Sequence, residues 1–513
     1  MPAAAGSLPE RPAGVAPRPL AGLAQQLPAA AWSGPPVAGI ALTGVTLDSR
    51  TVRPGDLYAA LPGARAHGAD FAGNAVRAGA VAVLTDPAGR SRAAAAGVPV
   101  VILERPREVL GSVAAWVYGW PAESLLLLAV TGTNGKTTTA YLIEAGLRAA
   151  GRTPGMIGTV ETRVGDAVLP SVRTTPEAPD VQALLAVMRE RGADAVVMEV
   201  SSHALAQGRV DGLRFDVAVF TNLSQDHLDF HGDLESYYAT KARLFTAARA
   251  RRGVVNVDDP YGARLAREAA IPMTTVSPAG VVDADWVGAA VAVQPTGSSV
   301  RLTRAGAAEV AVAVALAGRF NLDNAALAVV ALTAAGLPAD RAAGGVAGVR
   351  SVPGRMERID AGQPFTAIVD YAHTPEAVAT LLSSLRSTTA GRLLVVLGCG
   401  GDRDRLKRPQ MGAAAAAGAD VAVFTTDNPR SEDPAQILDA MLAGAVAAGG
   451  ATPLVEPDRA AAIARAVELA GPGDTLVVAG KGHEQGQEYG GAVVPFDDRA
   501  VLRAALARAG NAA

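Results

Sequence analysis

The stretch LLLLAVTGTNGKTTTAYLIEAGLRAAG, residues 125–151, places an apolar strand, a glycine-containing loop and a helical segment in direct succession. Gly132 and Gly135 let the loop backbone curl, so that its N–H groups and the helix start face a bound phosphate. Lys136 is spaced to reach the β- and γ-phosphates of a nucleotide, and the Thr137 hydroxyl to hold Mg²⁺. The stretch therefore predicts an ATP-binding domain of the α/β class.

The segments around this loop extend the α/β pattern over the whole chain. Apolar strands in DAVVMEVSS and FDVAVFTNLS alternate with helical segments, which predicts a mostly parallel sheet covered on both faces. Beyond residue 354, four apolar strands each precede an Ala-rich helical segment, as in a doubly wound, Rossmann-like sheet. We assign a flexible tail to residues 1–19, a small α/β domain to 20–122, a central P-loop ATPase-like α/β domain to 123–353, and a C-terminal Rossmann-like domain to 354–513.

Composition and charge exclude several classes of protein. The 513 residues exceed what one hydrophobic core supports, and the net charge of −3 lacks the basic excess typical of proteins that bind nucleic acid or anionic membranes. The single cysteine, Cys399, excludes an internal disulfide and fits a reducing compartment. The apolar runs are far shorter than the ~20 residues of a membrane helix, and the Pro- and Ala-rich N-terminus lacks the apolar segment of a signal peptide. We therefore expect a cytoplasmic, multidomain protein.

Two motifs rich in carboxylates and imidazoles follow strands of the central domain. A carboxylate and an imidazole near the phosphates, such as Glu199 and His227, suit a second metal ion that neutralises charge during phosphoryl transfer. Alternatively, individual members cap strand ends or form hydrogen-bonded turns, but two such clusters together favour a catalytic role. The motifs are MEVSSHAL, with Glu199, Ser201, Ser202 and His203, and NLSQDHLDFHG, with Asp226, His227, Asp229 and His231.

Nine motifs between about residue 45 and residue 499 resemble those of the Mur ligases. In chain order they are TGTNGKTTT, EVSSHAL, NLSQDHLDFHG, GRFNLDNAALA, GRMERI, VDYAHTPEA, GCGGDRD, DNPR and GKGHE. The resemblance implies an ATP-dependent amide ligase that adds an amino acid to a UDP-linked muramoyl peptide through an acyl phosphate. DNPR and GKGHE point to the step that adds the third amino acid. The expected substrates are then ATP with Mg²⁺, UDP-N-acetylmuramoyl-L-alanyl-D-glutamate and meso-diaminopimelate.

The resemblance also assigns site residues, and the N-terminal domain, with TLDSR and LPGARAHG, is implied to bind the UDP end of the substrate. The expected UDP-substrate residues are Leu47, Ser49, Thr174, Thr175, Ser201, Gln207 and Arg209. The expected ATP residues are Gly132, Thr133, Asn134, Gly135, Lys136, Thr137, Thr138, Asn321, Asn324, Arg355 and Asp370. The residues expected to bind the incoming amino acid are Arg403, Asp427, Asn428, Pro429, Arg430, Gly480 and Glu484. The expected catalytic residues are Lys136, Glu199, His227 and Lys241, the expected metal ligands are Thr137, Glu199 and His227, and Lys241 matches a position that the family carries as a carbamate.

The choice of meso-diaminopimelate over L-lysine depends on one carboxylate, which lies on the carbon that bears the distal amine. A selective site needs a cation for that carboxylate and an anion for the neighbouring ammonium, and Arg430 and Glu484 supply these charges. The alternative is that Arg430 and Glu484 pair with each other on the surface. Lysine would leave a desolvated guanidinium without a partner, and sites built around a polar group reject an analogue lacking it by roughly 10⁴-fold.

Three other interpretations stay open from the sequence: ligation of L-lysine, another Mur or folylpolyglutamate-type ligase, and a non-catalytic regulatory nucleotide-binding module. The N-terminal LDSR…GDLYAAL segment argues against the folate type, and DNPR argues against the other cell-wall steps. A regulatory module would not require Lys136, Glu199 and His227 together. We expect a monomer that has no nucleic-acid partner and does not insert into membranes.

Overall fold

The computed structural model describes residues 9–63, 65–171, 173–294, 297–402, 404–449 and 452–512, with side chains described to residue 510. These residues form three α/β domains in chain order, each built on its own main sheet, as the sequence predicted. No helix within these ranges is long and apolar enough to cross a membrane.

The N-terminal domain is built on a five-stranded sheet. Its order is β2-β7-β6-β5-β4, with only β2 antiparallel, while β1 and β3 form a separate pair. The strands are β1 (Arg18–Pro19), β2 (Ala31–Ser33), β3 (Ala41–Leu42), β4 (Gly44–Thr46), β5 (Asp56–Ala60), β6 (Ala82–Thr85) and β7 (Val100–Ile102). The helices are α1 (Leu23–Gln26), α2 (Ala72–Arg77), α3 (Arg90–Ala94) and α4 (Pro106–Val117), and α4 buries its apolar face in the core of this domain.

The expectation of a flexible N-terminal tail is wrong for its described part, residues 9–19. Arg11 Nη1 donates to both carboxylate oxygens of Asp56, at 2.8 and 2.7 Å, and β1 pairs with β3. Two backbone N–H groups of the segment also donate to the Glu190 carboxylate in the central domain, at 3.0 and 2.8 Å. Composition gave no sign of these contacts because they depend on partners far along the chain. Residues 1–8 lie outside the described residues.

The central domain is built on an eleven-stranded mixed sheet. Its order is β11-β10-β9-β12-β8-β13-β14-β15-β16-β17-β18, in which neighbours from β9 to β16 are parallel and both ends are antiparallel. The strands are β8 (Leu126–Thr131), β9 (Pro154–Ile157), β10 (Glu161–Val164), β11 (Ala167–Pro170), β12 (Ala195–Glu199), β13 (Phe215–Phe220), β14 (Ala250–Asn256), β15 (Met273–Ser277), β16 (Trp286–Gln294), β17 (Gly297–Thr303) and β18 (Val310–Val314). The helices are α5 (Lys136–Ala149), α6 (Ala178–Glu190), α7 (Ser202–Ala206), α8 (Leu228–His231), α9 (Leu234–Ala242), α10 (Pro260–Glu268), α11 (Arg319–Ala334) and α12 (Ala339–Ala347). Helices α5, α11 and α12 cover one face and α6, α9 and α10 the other, which explains why the parallel strands are continuous apolar runs.

The C-terminal domain is a parallel sheet with one antiparallel edge strand. Its order is β19-β20-β24-β21-β22-β23, with helices α13 to α15 on one face and α16 and α17 on the other, so the predicted doubly wound fold is confirmed. The strands are β19 (Glu357–Arg358), β20 (Thr366–Asp370), β21 (Leu393–Leu397), β22 (Val421–Phe424), β23 (Leu454–Val455), β24 (Thr475–Ala479) and the hairpin β25 (Gly486–Tyr489) and β26 (Ala492–Pro495). The helices are α13 (Pro375–Arg386), α14 (Lys407–Gly418), α15 (Pro434–Ala448), α16 (Arg459–Leu469) and α17 (Asp498–Ala512).

Candidate active site between the central and C-terminal domains

A cavity of about 510 Å³ lies where the central sheet faces the C-terminal domain. Strands β8 and β12 end at Thr131 and Glu199, and β20 of the C-terminal domain ends at Asp370. Ligands of open α/β sheets bind at such carboxyl ends, because the loops that follow parallel strands converge there. The cavity is lined by all the predicted ATP residues except Gly132, namely Thr133, Asn134, Gly135, Lys136, Thr137, Thr138, Asn321, Asn324, Arg355 and Asp370.

The phosphate loop requires glycine at two positions. Gly132 has a φ of 149°, and a Cβ atom there would lie 1.9 Å from Thr221 Oγ1. Gly135 has a φ of 86°, in the left-handed region, and a Cβ atom there would lie 2.3 Å from Asn324 Oδ1. The backbone can therefore turn tightly into α5, which begins at Lys136, and present its N–H groups to an anion.

The Lys136 side chain folds back onto the phosphate loop that precedes it in the chain. Its Nζ donates to the carbonyl oxygens of Gly132 and Thr133, both at 3.0 Å. Burial lowers the pKa of Lys136, and the nearby carboxylates of Glu199 and Asp226 oppose that shift. Since no carboxylate of the described chain forms an ion pair with this amine, a bound phosphate would provide its anionic partner.

Glu199 connects the phosphate loop to the substrate side of the cavity. Its Oε2 accepts hydrogen bonds from the Thr137 and Thr159 hydroxyls, both at 2.9 Å, and its Oε1 accepts one from the Thr159 N–H at 2.7 Å. The Thr159 hydroxyl also lies 3.0 Å from the hydroxyl of Thr174, a predicted substrate residue. The buried Glu199 carboxylate thus connects Thr137 of the predicted ATP residues, through Thr159, with Thr174 of the predicted substrate residues.

The oxygen donors at this point fit Mg²⁺. The Thr137 hydroxyl and the Glu199 carboxylate lie within 2.9 Å of each other at the edge of the phosphate loop. Within the described ranges, no group of three or more His, Cys, Asp or Glu residues is arranged to hold a metal by itself. Mg²⁺ suits such a site, because it is usually held by one or two carboxylates together with phosphate oxygens and water. His227 lines the same cavity as Thr137 and Glu199, so the three predicted ligands surround one space.

His227 belongs to a cluster of aromatic rings that follows β13. Its ring centroid lies 4.7 Å from that of His203, which in turn lies 5.7 Å from that of His231. Burial lowers the pKa of His227 to about 3, against the attraction of the Asp226 carboxylate, whose Oδ2 lies 3.4 Å from the imidazole Nε2. Burial therefore favours the neutral imidazole, the form that binds metals.

Lys241 is a buried residue and not a solvated helical lysine. Its side chain is 1% exposed, its Nζ donates to the Gly132 carbonyl at 2.8 Å, and the amine lies 4.6 Å from the centroid of the Tyr237 ring. Burial lowers the pKa of Lys241 well below its ordinary value, and the neighbouring Lys136 lowers it further, while Asp226 opposes the shift. This environment favours a neutral amine.

Arg355 and Asp370 bring the C-terminal domain to the phosphate loop. Arg355 Nη2 donates to Thr137 Oγ1 at 3.3 Å, and its guanidinium lies 4.2 Å from the centroid of the Tyr371 ring. Asp370 accepts two backbone N–H groups at 2.8 Å, and burial raises the pKa of its carboxyl group. Residues of a second domain therefore complete the lining of the cavity next to the phosphate loop.

A second polar network lies after β22 and β24, in the loops DNPR and GKGHE. Lys481, which is fully buried, donates through Nζ to Asn428 Oδ1 and Glu484 Oε2, both at 2.9 Å. Asn428 Nδ2 donates to the same Glu484 oxygen at 2.9 Å. Gly480 has a φ of 110°, and a Cβ atom there would lie 2.7 Å from Asp427 Oδ2. The two loops therefore form one site, and Glu484 has Lys481 as its cation.

Arg430 lies at the edge of this network, on the hairpin side. Its Nε donates to Glu488 Oε2 at 3.0 Å, its Nη1 donates to the Gly401 carbonyl at 2.6 Å, and its backbone N–H donates to the Glu488 carbonyl at 2.9 Å. Its φ of 53° is uncommon for a residue with a side chain, and such strain concentrates at functional sites. Arg430 thus pairs with Glu488 and not with Glu484, contrary to the alternative considered above. Pro429 lies between Asn428 and Arg430 in the chain, and the predicted Arg403 lies outside the described residues.

The two predicted UDP residues of the N-terminal domain lie away from the cavity. The Tyr58 hydroxyl hydrogen bonds with Ser49 and donates to the Gly68 carbonyl at 3.0 Å. Tyr58 therefore joins the TLDSR loop to the LPGARAHG loop. Leu47 packs against the core of the same domain.

The predicted substrate residues of the central domain are connected by hydrogen bonds. Thr175 Oγ1 donates to the Glu199 carbonyl at 2.9 Å and accepts from the Ser201 N–H at 3.1 Å. Arg209 donates to the Thr175 carbonyl at 3.1 Å and to Gln207 Oε1 at 2.6 Å. Thr174 and Ser201 line the same cavity as the ATP residues. The arrangement suits a long substrate with one end at the nucleotide site.

Four residues of these networks were not predicted from the sequence: Thr159, Tyr58, Lys481 and Glu488. Lys481 stands inside the quoted GKGHE motif, but a lysine between glycines gives no sign that it is buried. Thr159 and Glu488 belong to no quoted motif, and Tyr58 stands in GDLYAAL without a sign of its role. The hydrogen bonds that join Tyr58 to Gly68, Thr159 to Glu199 and Glu488 to Arg430 span 10, 40 and 58 residues of sequence. Only contacts between distant segments assign them a role.

The chain is similar to known proteins over most of its length. Family models match three segments: "Mur ligase family, catalytic domain" at residues 41–118, "Mur ligase middle domain" at 130–332, and "Mur ligase, glutamate ligase domain" at 354–482. The UDP-N-acetylmuramoyl-L-alanyl-D-glutamate–2,6-diaminopimelate ligase of Streptomyces coelicolor is 57% identical, over 97% of this chain and 98% of its own. The protein of that name from Corynebacterium glutamicum is 48% identical, over 95% of each chain. A solved structure of a ligase of that name is 34% identical with a TM-score of 0.63, over 92% of this chain and 96% of its own.

Proposed function

The chain belongs to the Mur ligase family, and we propose that it adds meso-diaminopimelate to the D-glutamate of UDP-N-acetylmuramoyl-L-alanyl-D-glutamate with ATP. The observation that carries this proposal is the cavity of about 510 Å³, which the phosphate loop, Thr174, Ser201 and Asp370 line together. A nucleotide-binding module alone would not need substrate hydroxyls in the same space. The names of the relatives at 57% and 48% identity support the choice of substrates.

The proposed reaction has two steps. A carboxylate oxygen of the D-glutamate attacks the γ-phosphorus of ATP, which gives an acyl phosphate and ADP. The amine of the incoming amino acid then attacks the acyl carbon, the bond from that carbon to the phosphate oxygen breaks, and phosphate leaves while the nitrogen loses a proton. The first step converts a poor leaving group into a good one.

The residues of the loop stabilise the first step. Lys136 exchanges its two loop carbonyls for phosphate oxygens, which places a desolvated cation on the charge that moves during transfer. Mg²⁺ held by Thr137 and Glu199 would add charge neutralisation at the same phosphates. Arg355 already contacts Thr137 from the C-terminal domain, so domain closure around ATP would keep water from the acyl phosphate.

Lys241 is proposed to act as a carbamate. Carbon dioxide adds only to a neutral amine, forming an N–C bond with loss of one proton, and the buried position of Lys241 favours that neutral form. The product places a negative carbamate where the neutral amine stood, beside the Gly132 carbonyl and Lys136. A carbamate there would attract the Lys136 ammonium and orient it.

The incoming amino acid is proposed to bind in the network of DNPR and GKGHE. Arg430 is assigned to the distal carboxylate of the amino acid. That carboxylate would bind the guanidinium that now pairs with Glu488. Glu484 is assigned to the neighbouring ammonium, and Lys481 and Asn428 hold its carboxylate in place. We propose a monomer as the active form, and the use of ATP supports a cytoplasmic reaction.

The test is phosphate release from ATP, measured with the UDP-muramoyl dipeptide, with meso-diaminopimelate, and with both. Release is expected only with both, together with a product heavier by one diaminopimelate residue. Release that needs neither substrate would overturn the ligase assignment. A panel in which L-lysine is used as well as meso-diaminopimelate would overturn the choice of amino acid and leave the ligase assignment intact.

A further inference from the structure

Three arginines converge on one carboxylate at the junction of the N-terminal and central domains. The Glu177 carboxylate lies 3.2 Å from Arg107 Nη1, 2.6 Å from Arg173 Nη1 and 3.0 Å from Arg209 Nε. Arg107 belongs to α4 of the N-terminal domain, whereas the other three residues belong to the central domain. In the described chain, no second carboxylate lies within ion-pair distance of any of the three guanidinium groups. The cluster therefore brings three guanidinium groups into contact with one carboxylate.

The Glu177 carboxylate does not meet the full hydrogen-bonding capacity of these arginines. Arg209 Nε lies 3.0 Å from Glu177 but is buried without an aligned hydrogen bond. Burial lowers the pKa of Arg209, and the positive charges of Arg173 and Arg107 lower it further. Such a desolvated cation gains from a second anion, since planar guanidinium groups bind carboxylates and phosphates through paired hydrogen bonds.

Glu177 is not otherwise occupied. It stands at the N-cap position of α6, where a carboxylate can accept helix N–H groups, yet its side chain makes no such bond. The cluster also has open space around it, because the side chains of Arg107 and Arg173 are 41% and 53% exposed. An incoming anion can therefore reach both arginines from solvent.

The cluster adjoins the proposed substrate path. Arg209 donates to the Thr175 carbonyl, and Arg107 Nη1 lies 3.4 Å from the Gln207 carbonyl, to which it donates. Both partners belong to the residues assigned to the UDP-linked substrate. Because Arg107 comes from the domain assigned to the UDP end, an anion bound here would touch both domains at once.

We propose that Arg107 and Arg173 bind an anionic group of the UDP-linked substrate, its diphosphate or a dipeptide carboxylate, and that Glu177 holds their place until the substrate displaces it. This inference rests on the proposed function and adds two substrate-binding residues and one competing carboxylate to it. Glu177 would keep the arginines oriented in the free protein and release them when the stronger anion arrives. Affinity for the substrate then depends on Arg107 and Arg173, and Glu177 opposes it.

The test is calorimetric titration of the full-length protein with UDP-N-acetylmuramoyl-L-alanyl-D-glutamate in the absence of ATP. Arg107→Gln and Arg173→Gln should each raise Kd at least fivefold. Arg105→Gln is the matched control, because Arg105 precedes the same helix and its ion pair among the described residues is with the exposed Glu108. It should change Kd less than twofold. Glu177→Gln should bind the substrate as tightly as the wild type or more tightly.

Two results would overturn the inference. One is that Arg107→Gln and Arg173→Gln both bind within twofold of the wild type. The other is that Glu177→Gln binds more weakly than the wild type while its melting temperature is unchanged, which would make Glu177 a structural support for Arg209. If Glu177→Gln fails to fold, the affinities of the two arginine variants still test the inference.

Titration with fragments locates the anionic group. A loss of affinity for UDP in Arg107→Gln would assign the diphosphate, and a loss of affinity for L-alanyl-D-glutamate would assign a carboxylate. Equal affinity for both fragments in variant and wild type would overturn the inference. Ligation by the wild type is measured in parallel, so that failure of the arginine variants to lose affinity is distinguished from failure of the proposed function.

Discussion

The Thr137 hydroxyl donates a 2.9 Å hydrogen bond to the Glu199 carboxylate, across 62 residues of sequence. Thr137 lies in the first turn after the phosphate loop, and Glu199 ends the neighbouring parallel strand. The same carboxylate binds Thr159, which contacts Thr174 on the substrate side. The residues proposed for the nucleotide and for the substrate are thereby connected through one carboxylate, which would favour reaction by orientation.

Lys136→Ala should reduce ligation by at least about 10²-fold, because it removes the cation that stabilises charge on the transferring phosphoryl group. Binding of the UDP-muramoyl dipeptide, measured by titration without ATP, should stay within twofold of the wild type. Arg148→Ala is the control, since Arg148 lies on the same helix, is exposed and pairs with Glu144. Ligation near the wild-type rate in Lys136→Ala would show that the ATP site is assigned wrongly.

Lys241→Ala should lose most ligation activity and regain part of it with short carboxylic acids. The physical reason is that the acid can occupy the space of the lost carbamate and restore a negative charge beside Lys136. The measurement is the ligation rate against the concentration of added acetate or propionate, with chloride at the same ionic strength as the control. Full activity of the variant without any acid would argue decisively against a carbamate.

Lys241→Met should raise the melting temperature at pH 7 by several degrees in buffer free of carbon dioxide. The folded protein has a lowered pKa for Lys241, so protonation penalises the folded state at low and neutral pH, and the penalty fades as pH rises toward the unfolded pKa of 10.5. The Gly132 carbonyl keeps a donor in the variant, because Lys136 also binds it. The difference between variant and wild type should therefore shrink from pH 7 to pH 10, and a constant difference would contradict the lowered pKa.

Arg430→Ala should impair ligation of meso-diaminopimelate severely and narrow its advantage over L-lysine. Removing the guanidinium leaves the distal carboxylate without its cation, whereas lysine has no such group to lose. The readout is kcat/KM for both amino acids. Arg405→Ala serves as the control, because Arg405 is 72% exposed and pairs with Glu432 in the same domain. An unchanged ratio of the two kcat/KM values would remove Arg430 from the specificity site.

Arg11→Ala should destabilise the N-terminal domain by about 3 kcal/mol. The Asp56 side chain is 1% exposed, and loss of its guanidinium partner leaves a buried charge with the Arg53 N–H as its remaining donor. Deletion of residues 1–19 should cost at least as much, because it removes the same ion pair together with the pairing of β1 with β3. Glu10→Ala, at an exposed neighbouring position, should leave the melting curve unchanged. A melting temperature unaffected by Arg11→Ala would show that the pair does not hold the segment.

The sequence by itself determined the fold class and the position of the phosphate loop. Both are local properties. The spacing of apolar residues along a short stretch distinguishes strands from helices. A phosphate loop needs a strand, a glycine turn and a helix in direct succession. It also showed polar motifs directly after strands of the central domain, and parallel strands carry such loops to the same side of a sheet. Motifs such as DNPR and GKGHE indicated which residues to examine for the incoming amino acid.

The partners and ionisation states of these residues were decided only by the tertiary structure. Lys241 was expected as a carbamate from the family resemblance, but the sequence did not show the surroundings of its amine, which lies 2.8 Å from the carbonyl of Gly132, 109 residues away. Arg430 proved to pair with Glu488, 58 residues away, and not with Glu484. The N-terminal segment proved to be held by Arg11 on a buried carboxylate 45 residues away. Burial and charge pairing depend on which distant segments the packed domains bring together, and a pKa or an ion pair has no local signature in the sequence.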